Sequence, residues 1–164
     1  MGKGLKAGAG SGKGEMELDQ LDRELTSHLQ EDGRRSFADI AKVLGESEST
    51  VRFRFKRLLK RGVIRGVIAL VNPRAVGLNE SAALFIKANA TKLDGVLREL
   101  CSFKEVPHIY QFTGDYDAIA IVMGRDVDHL NSVVRRVKSI PGVLDVTMML
   151  TLKVLKSDVK YAIA

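Results

Sequence analysis

Between Ser47 and Gly62 the chain carries six Lys or Arg residues against one acid, Glu48, interleaved with hydroxyls and aromatic rings. Guanidinium and ammonium groups donate charge-assisted hydrogen bonds to phosphate, hydroxyls reach phosphate or base edges, and an apolar ring suits a thymine methyl. The chemistry on offer is recognition of a polyanion with readable edges, which describes double-stranded DNA. The candidate contacts are Ser47, Ser49, Thr50, Arg52, Phe53, Arg54, Lys56 and Arg57. The competing reading is a solvated basic helix face with Phe53 packed on a neighbour. A formal charge of +6 over 164 residues fits a polyanion but does not demand one. Its focus on one helix says more than the total.

Other chemistries fare worse. His28, His108 and His129 are scattered without ligand spacing, and no nucleophile has an obvious base. The single cysteine, Cys101, excludes a disulfide framework and any multi-Cys metal site, and its helical neighbours Leu97 and Leu100 predict a buried thiol. Ala7–Gly14 superficially matches a phosphate-binding loop, but Gly14 stands where Ser or Thr should be and no strand precedes it. The sequence therefore calls for no enzyme, no metal and no cofactor. It has no apolar run of membrane-spanning length and no signal-peptide core, so a cytoplasmic protein without a membrane partner is expected.

The cations need a scaffold. Leu18, Leu21, Leu25 and Leu29 predict a first helix ending before Asp32-Gly33. Ser36 caps a second helix with an apolar stripe of Phe37, Ile40, Ala41 and Leu44, and Gly45 ends it. Ser47 caps the third, whose stripe is Val51, Phe55, Leu58 and Leu59, with Gly62 as its stop. Three helices so joined predict a winged-type helix-turn-helix, with the third helix presented to the major groove. The expected organisation is a disordered or non-native tail at 1–15, the DNA-binding domain at 16–62, a connector strand and loop at 63–80, and a second domain at 81–164.

That second domain contains a repeat offset by 37 residues. Leu97, Leu100, Phe103, Val106 and Ile109 recur as Val134, Val137, Ile140, Val143 and Val146, while AALFIK at Ala82 pairs with IAIVMG at Ile119. Two strand-helix-strand copies make βαββαβ, an α+β ferredoxin-like fold with both helices on one face. On the final strand Val146, Met148, Leu150, Leu152 and Val154 share one side, opposite Thr147, Met149, Thr151 and Lys153. The repeat puts Tyr110 and Phe112 with Thr147 and Met149 on the face away from the helices. So apolar a face calls for a cover, and the same face of a second copy supplies one, so Tyr110, Phe112 and Met149 are the expected dimer contacts.

The blocks LDRELTSHLQEDGRRSFADIAKVLGESESTVRFRFKRLLKRGVI, VNPRAVG, TGDYDAIAIV and IPGVLDV, at their spacing, resemble the Lrp/AsnC (feast/famine) family of prokaryotic transcription regulators from about Met16 onward. The resemblance implies regulation by an amino acid or related metabolite, and homodimers that assemble into tetramers or octamers. It places an effector site between dimers, beside the loop Gly114-Asp115-Tyr116-Asp117, where backbone N–H groups suit a carboxylate and Asp115 or Asp117 an ammonium. Thr147 and Thr151 are further candidates. Two residues depart from the family pattern: Glu48, where Pro is frequent, and Phe53, where polar or basic residues are. A siroheme-decarboxylase-like enzyme on the same fold pair is an alternative that the scattered histidines disfavour. An assembly protein with vestigial DNA binding is another, disfavoured by the cation-rich helix.

Overall fold

The computed structural model describes residues 17–157 and 160–163. The glycine-rich tail at 1–15 lies outside them. The chain forms two compact units, residues 17–70 together with 160–163, and residues 71–157. The expected boundaries at 62 and 80 straddle the observed one, and the last residues group with the first unit rather than the second.

The first unit comprises α1 (Gln20–Glu31), α2 (Phe37–Leu44) and α3 (Glu48–Lys60). Each has an oxygen-bearing N-cap that satisfies an orphan N–H: Asp19 accepts from the amide of Asp22, Ser36 from Asp39 and Ser47 from Thr50. Gly45 ends α2 at φ 68°, in the left-handed region where a side chain would be strained. Leu25, Ile40, Ala41, Val51, Leu58 and Ile64 form the buried core, with Leu18, Leu29, Phe37 and Phe55 packed at its edge. Leu59, expected in the stripe, is exposed instead. It sits about 80° around the axis from Val51, outside the contact with the other helices.

Two expectations fail in this part of the chain. The unit contains no strand among the described residues, so there is no wing. The connector predicted as a strand forms none either, because residues 65–72 have no ladder partner among the described residues, and Val67, Ile68, Leu70 and Val71 stand exposed. Near the other terminus, the backbone N–H of Tyr161 donates to Gln30 Oε1 (2.8 Å) while Gln30 Nε2 donates to the Tyr161 carbonyl (3.0 Å).

The second unit runs β1 (Glu80–Ala88), α4 (Leu93–Leu100), β2 (His108–Gln111), β3 (Ala118–Gly124), α5 (Val127–Lys138) and β4 (Val143–Leu150). The sheet order is β2-β3-β1-β4 with every neighbouring pair antiparallel, the ferredoxin-like arrangement. Ala82, Leu84, Ile86, Ala118, Ala120 and Val122 are fully buried beneath Val96 and Leu100 of α4 and Leu130, Val133 and Val137 of α5.

The 37-residue repeat holds through the helices, where Val96, Leu100 and Phe103 match the buried Val133, Val137 and Ile140. It fails in the preceding strands. Buried Ala82, Leu84 and Ile86 correspond to Ala118, Ala120 and Val122, an offset of 36. Buried Val133 follows buried Gly124 by nine positions, whereas Val96 follows Ala88 by eight, and a one-residue slip exchanges the faces of a strand. The last strand is also shorter than expected. Its ladder ends at Leu150, opposite Ala82, with one further bond from the Thr151 amide to the Ser81 carbonyl, and Leu152 and Val154 are exposed rather than facing the core.

Candidate functional site

The solvent side of α3 begins with a hydroxyl cluster. Ser47 Oγ accepts the Thr50 amide at 3.0 Å and lies 2.8 Å from both Ser49 Oγ and Thr50 Oγ1. Phe53 is 64% exposed, and Glu48, Ser49, Arg52, Phe53 and Lys56 line one shallow open concavity. The first-turn hydroxyls, the positive helix end and the exposed ring thus share a surface able to meet phosphate and base edges.

Arg54 and Arg57 behave differently from expectation. Both turn toward α1 instead of outward. Arg54 donates to Asp19 and lies 3.4 Å from Asp22, while Arg57 Nη2 donates to Asp22 at 2.5 Å and stands 3.6 Å from Asp19. Asp22 has no exposed surface and is the only buried charged residue among those described. A carboxylate is tolerated there because two guanidiniums surround it, and they in turn tie α3 to α1. Arg57 Nε is buried without a hydrogen-bond partner, a local cost of this arrangement. The Asp22 amide and Arg54 hold the Asp19 carboxyl below the usual range, and Arg54 is raised in return. These two arginines therefore tie α3 to the start of α1, and their charge is engaged within the unit instead of standing free as the sequence suggested.

Arg52 stays at the surface with its side chain 53% exposed. It donates to Glu48, one turn earlier, and its guanidinium lies 5.3 Å from the centre of the Phe37 ring. Phe37 packs against Phe55 at 5.0 Å between centroids. Nothing within α3 itself marks Asp19, Asp22 or Phe37 as partners of this surface. The available signal was the pair of acids three residues apart at the start of α1, opposite a helix of cations.

In the second unit the open face of the sheet is as apolar as expected. Tyr110, Ile119, Phe85 and Thr147 make one cross-strand row, and His108, Ile121, Ala83 and Met149 the next. Tyr110, Phe112 and Met149 are each about half exposed. The loop from Gly114 to Asp117 joins β2 to β3, with Gly114 at φ 119°. Asp117 is occupied locally: its Oδ2 accepts the Ala88 amide at 2.8 Å and its own amide donates to the Ile86 carbonyl at 2.9 Å. That leaves Asp115 as the loop carboxylate on the solvent side. Tyr116 packs on Phe85 at 5.3 Å, and Lys87 Nζ lies 5.3 Å from the Tyr116 ring centre. Thr151 follows β4 and donates its amide to the Ser81 carbonyl (2.8 Å), whereas Thr147 lies mid-strand beside Phe85. The structure thus brings Tyr116 and Thr147 to the two flanks of Phe85, with Thr151 farther along the strand.

The histidines serve separate local roles. Arg35 Nη1 lies 2.9 Å from His28 Nδ1, His108 stacks on Tyr110, and His129 Nδ1 accepts the Arg125 amide at 3.3 Å. No group of three or more His, Cys, Asp or Glu converges among the described residues in a way that could hold a metal. Cys101 is exposed rather than buried, since α4 ends at Leu100 and the thiol leaves the stripe. No helix among the described residues is long and apolar enough to cross a membrane.

Comparison with known proteins reaches both units. Residues 18–59 match the AsnC-type helix-turn-helix domain and residues 81–161 the Lrp/AsnC ligand binding domain. The HTH-type transcriptional regulator FL11 of Pyrococcus abyssi is 37% identical over 146 residues, 89% of this chain and 97% of its own. Among solved structures, the leucine response regulatory protein (LrpA) of Mycobacterium tuberculosis is 30% identical with a TM-score of 0.82, covering 90% of this chain and all of its own. Escherichia coli AsnC is 26% identical with a TM-score of 0.80, over 86% of this chain and 96% of that one.

Proposed function

The chain belongs to the Lrp/AsnC family of transcriptional regulators, and from that premise we propose how its two units share the work. The protein is a DNA-binding regulator that joins a helix-turn-helix to a ligand-binding domain. α3 enters the major groove. Ser47, Ser49, Thr50 and Phe53 meet base edges and nearby phosphates, Lys56 clamps phosphate, and Arg54 and Arg57 keep the helix at its angle. The observation that carries this reading is the outward face of α3, where Phe53 is 64% exposed beside Ser49 and Lys56 instead of packed on a neighbour.

A second copy covers the open sheet face through Tyr110, Phe112 and Met149, and the resulting dimer carries two reading helices to successive turns of a pseudo-palindromic site. Dimers assemble further into tetramers or octamers. An amino acid or related metabolite binds between dimers at Gly114, Asp115 and Tyr116, with Thr147 and Thr151 nearby. Asp115 takes the ammonium, since Asp117 is held by the backbone of β1. The protein works in the cytoplasm, performs no catalysis and has no membrane partner. A relative named for its response to leucine supports an amino-acid effector.

The test is calorimetric titration with the twenty amino acids, paired with DNA anisotropy. A coupled effector shifts DNA affinity by roughly 5- to 150-fold. Absence of heat for all twenty, with DNA affinity unaltered, overturns the amino-acid reading.

A further inference from the structure

We propose that Glu48 and Arg52 act together as the reader of one G·C base pair, with Glu48 and Phe37 positioning the Arg52 guanidinium before DNA arrives. The proposal rests on α3 being the groove-facing helix.

α3 contains three arginines, Arg52, Arg54 and Arg57. Carboxylates of α1 take two of them. Arg52 is the α3 arginine whose fork remains at the surface, and it is the one braced from two directions. Glu48 fixes one edge of the guanidinium through a hydrogen bond. The Phe37 ring lies against it, 5.3 Å from ring centre to Cζ, and Phe37 itself packs on Phe55 at the margin of the core. Arginine ordinarily loses much rotamer freedom on binding, so a braced fork meets its target at lower entropic cost.

The acid narrows the target. A carboxylate pointing at phosphates is repelled, so Glu48 on a DNA-facing helix calls for a donor. The major-groove edge of a G·C pair provides one in the cytosine amino group, next to the guanine N7 and O6 acceptors. Arg52 offers donors and Glu48, its side chain 48% exposed, offers a carboxylate acceptor beside them. The pair therefore presents the complement of that edge. Glu48 also lies in the first turn of α3, the part of a reading helix that reaches base edges. Lys56 has no planar fork and serves phosphate instead.

The experiment is selection from a randomised duplex pool using the full chain, Glu48→Gln and Arg52→Lys, with binding to the selected and to random duplexes measured against salt. Both changes are at half-exposed positions, and far-UV circular dichroism checks that the helices persist. The expected wild-type site contains a G·C position at which Arg52→Lys loses roughly five- to hundred-fold of discrimination. Glu48→Gln lowers discrimination at that same position while affinity for random duplex holds or rises, because one negative charge has gone. Unchanged preference in both variants overturns the proposal. So does an equal loss on all sequences, which makes Arg52 a phosphate contact and Glu48 a structural residue. A wild-type protein that selects no sequence at all overturns the reading of α3 itself, a result distinct from the other two.

Discussion

Replacing Asp22 with Asn keeps the volume of the side chain and removes its charge, which isolates the ionic tie between α1 and α3. Asp22 holds Arg57 at 2.5 Å through one oxygen and approaches Arg54 at 3.4 Å through the other, and its side chain is 1% exposed. A hydrogen bond to a charged group contributes about 1.5–3 kcal/mol. The Arg57 contact counts in full and the long Arg54 contact little. Removing one partner of a fully buried pair costs about 3–5 kcal/mol, yet Arg54 keeps Asp19 and both arginines reach water at their tips, which lowers the figure. The expected loss is about 2–3 kcal/mol. A unit of this size is stable by only about 3–8 kcal/mol, so roughly a quarter or more of its margin disappears. Hydrogen exchange read by mass spectrometry reports the two units separately. Peptides from α1 and α3 should exchange about 30- to 150-fold faster, and those from β1 and β3 should not change. A shift in α1 and α3 below about 0.5 kcal/mol, typical of an exposed ion pair, would refute the claim that Asp22 fastens the reading helix.

Three further outcomes follow from the same geometry. Lys56→Ala should flatten the salt dependence of DNA binding by about one unit of slope, while Arg54→Ala should change it much less, since Asp19 already neutralises that charge. The helix-turn-helix should lose stability in acid: the folded Asp19 carboxyl lies below its ordinary value, so its contribution is whole above about pH 4 and fades as pH falls through the lowered value. Asp19→Ala, followed by circular dichroism during acid titration, should show a shallower decline over that window. Tyr110→Glu and Met149→Lys should convert a sedimenting dimer to monomer, because each buries a charge in the proposed sheet-to-sheet contact, and a dimer persisting in both removes the open-face argument.

The helices were legible wherever the signal was local. A hydroxyl or carboxylate cap, a stripe at helical spacing and a glycine stop act within one element, and Ser36, Ser47 and Gly45 sit where those rules put them. Errors arise where the answer lies in another element. Leu59 has an apolar side chain at an acceptable spacing, but burial depends on where α1 and α2 lie. The strand repeat slipped because the spacing from strand core to helix core is one residue greater in the second copy, which a single offset cannot show, and in a strand one residue inverts every side chain. β4 ends at Leu150 although its apolar alternation continues through Leu152 and Val154, and nothing in its own residues marks the stop. Cys101 fits the helical pattern, yet α4 stops one residue short of it.

Charge is the quantity that sequence overstates most. Composition gives α3 an array of cations, and each looks like a phosphate contact until its partner is known. The partners, Asp19 and Asp22, lie more than thirty residues earlier, and no pattern within α3 betrays them. Once Arg54 and Arg57 are discounted, the surface that remains is less basic and more structured: a capped hydroxyl cluster, an exposed ring, the lysines Lys56 and Lys60, and an arginine braced against an acid. A helix built only to hold phosphate would have no use for Glu48, whose charge opposes such binding. Its place beside Arg52 makes sense on a face that discriminates among bases, where attraction without selectivity would leave the protein spread over competing sites.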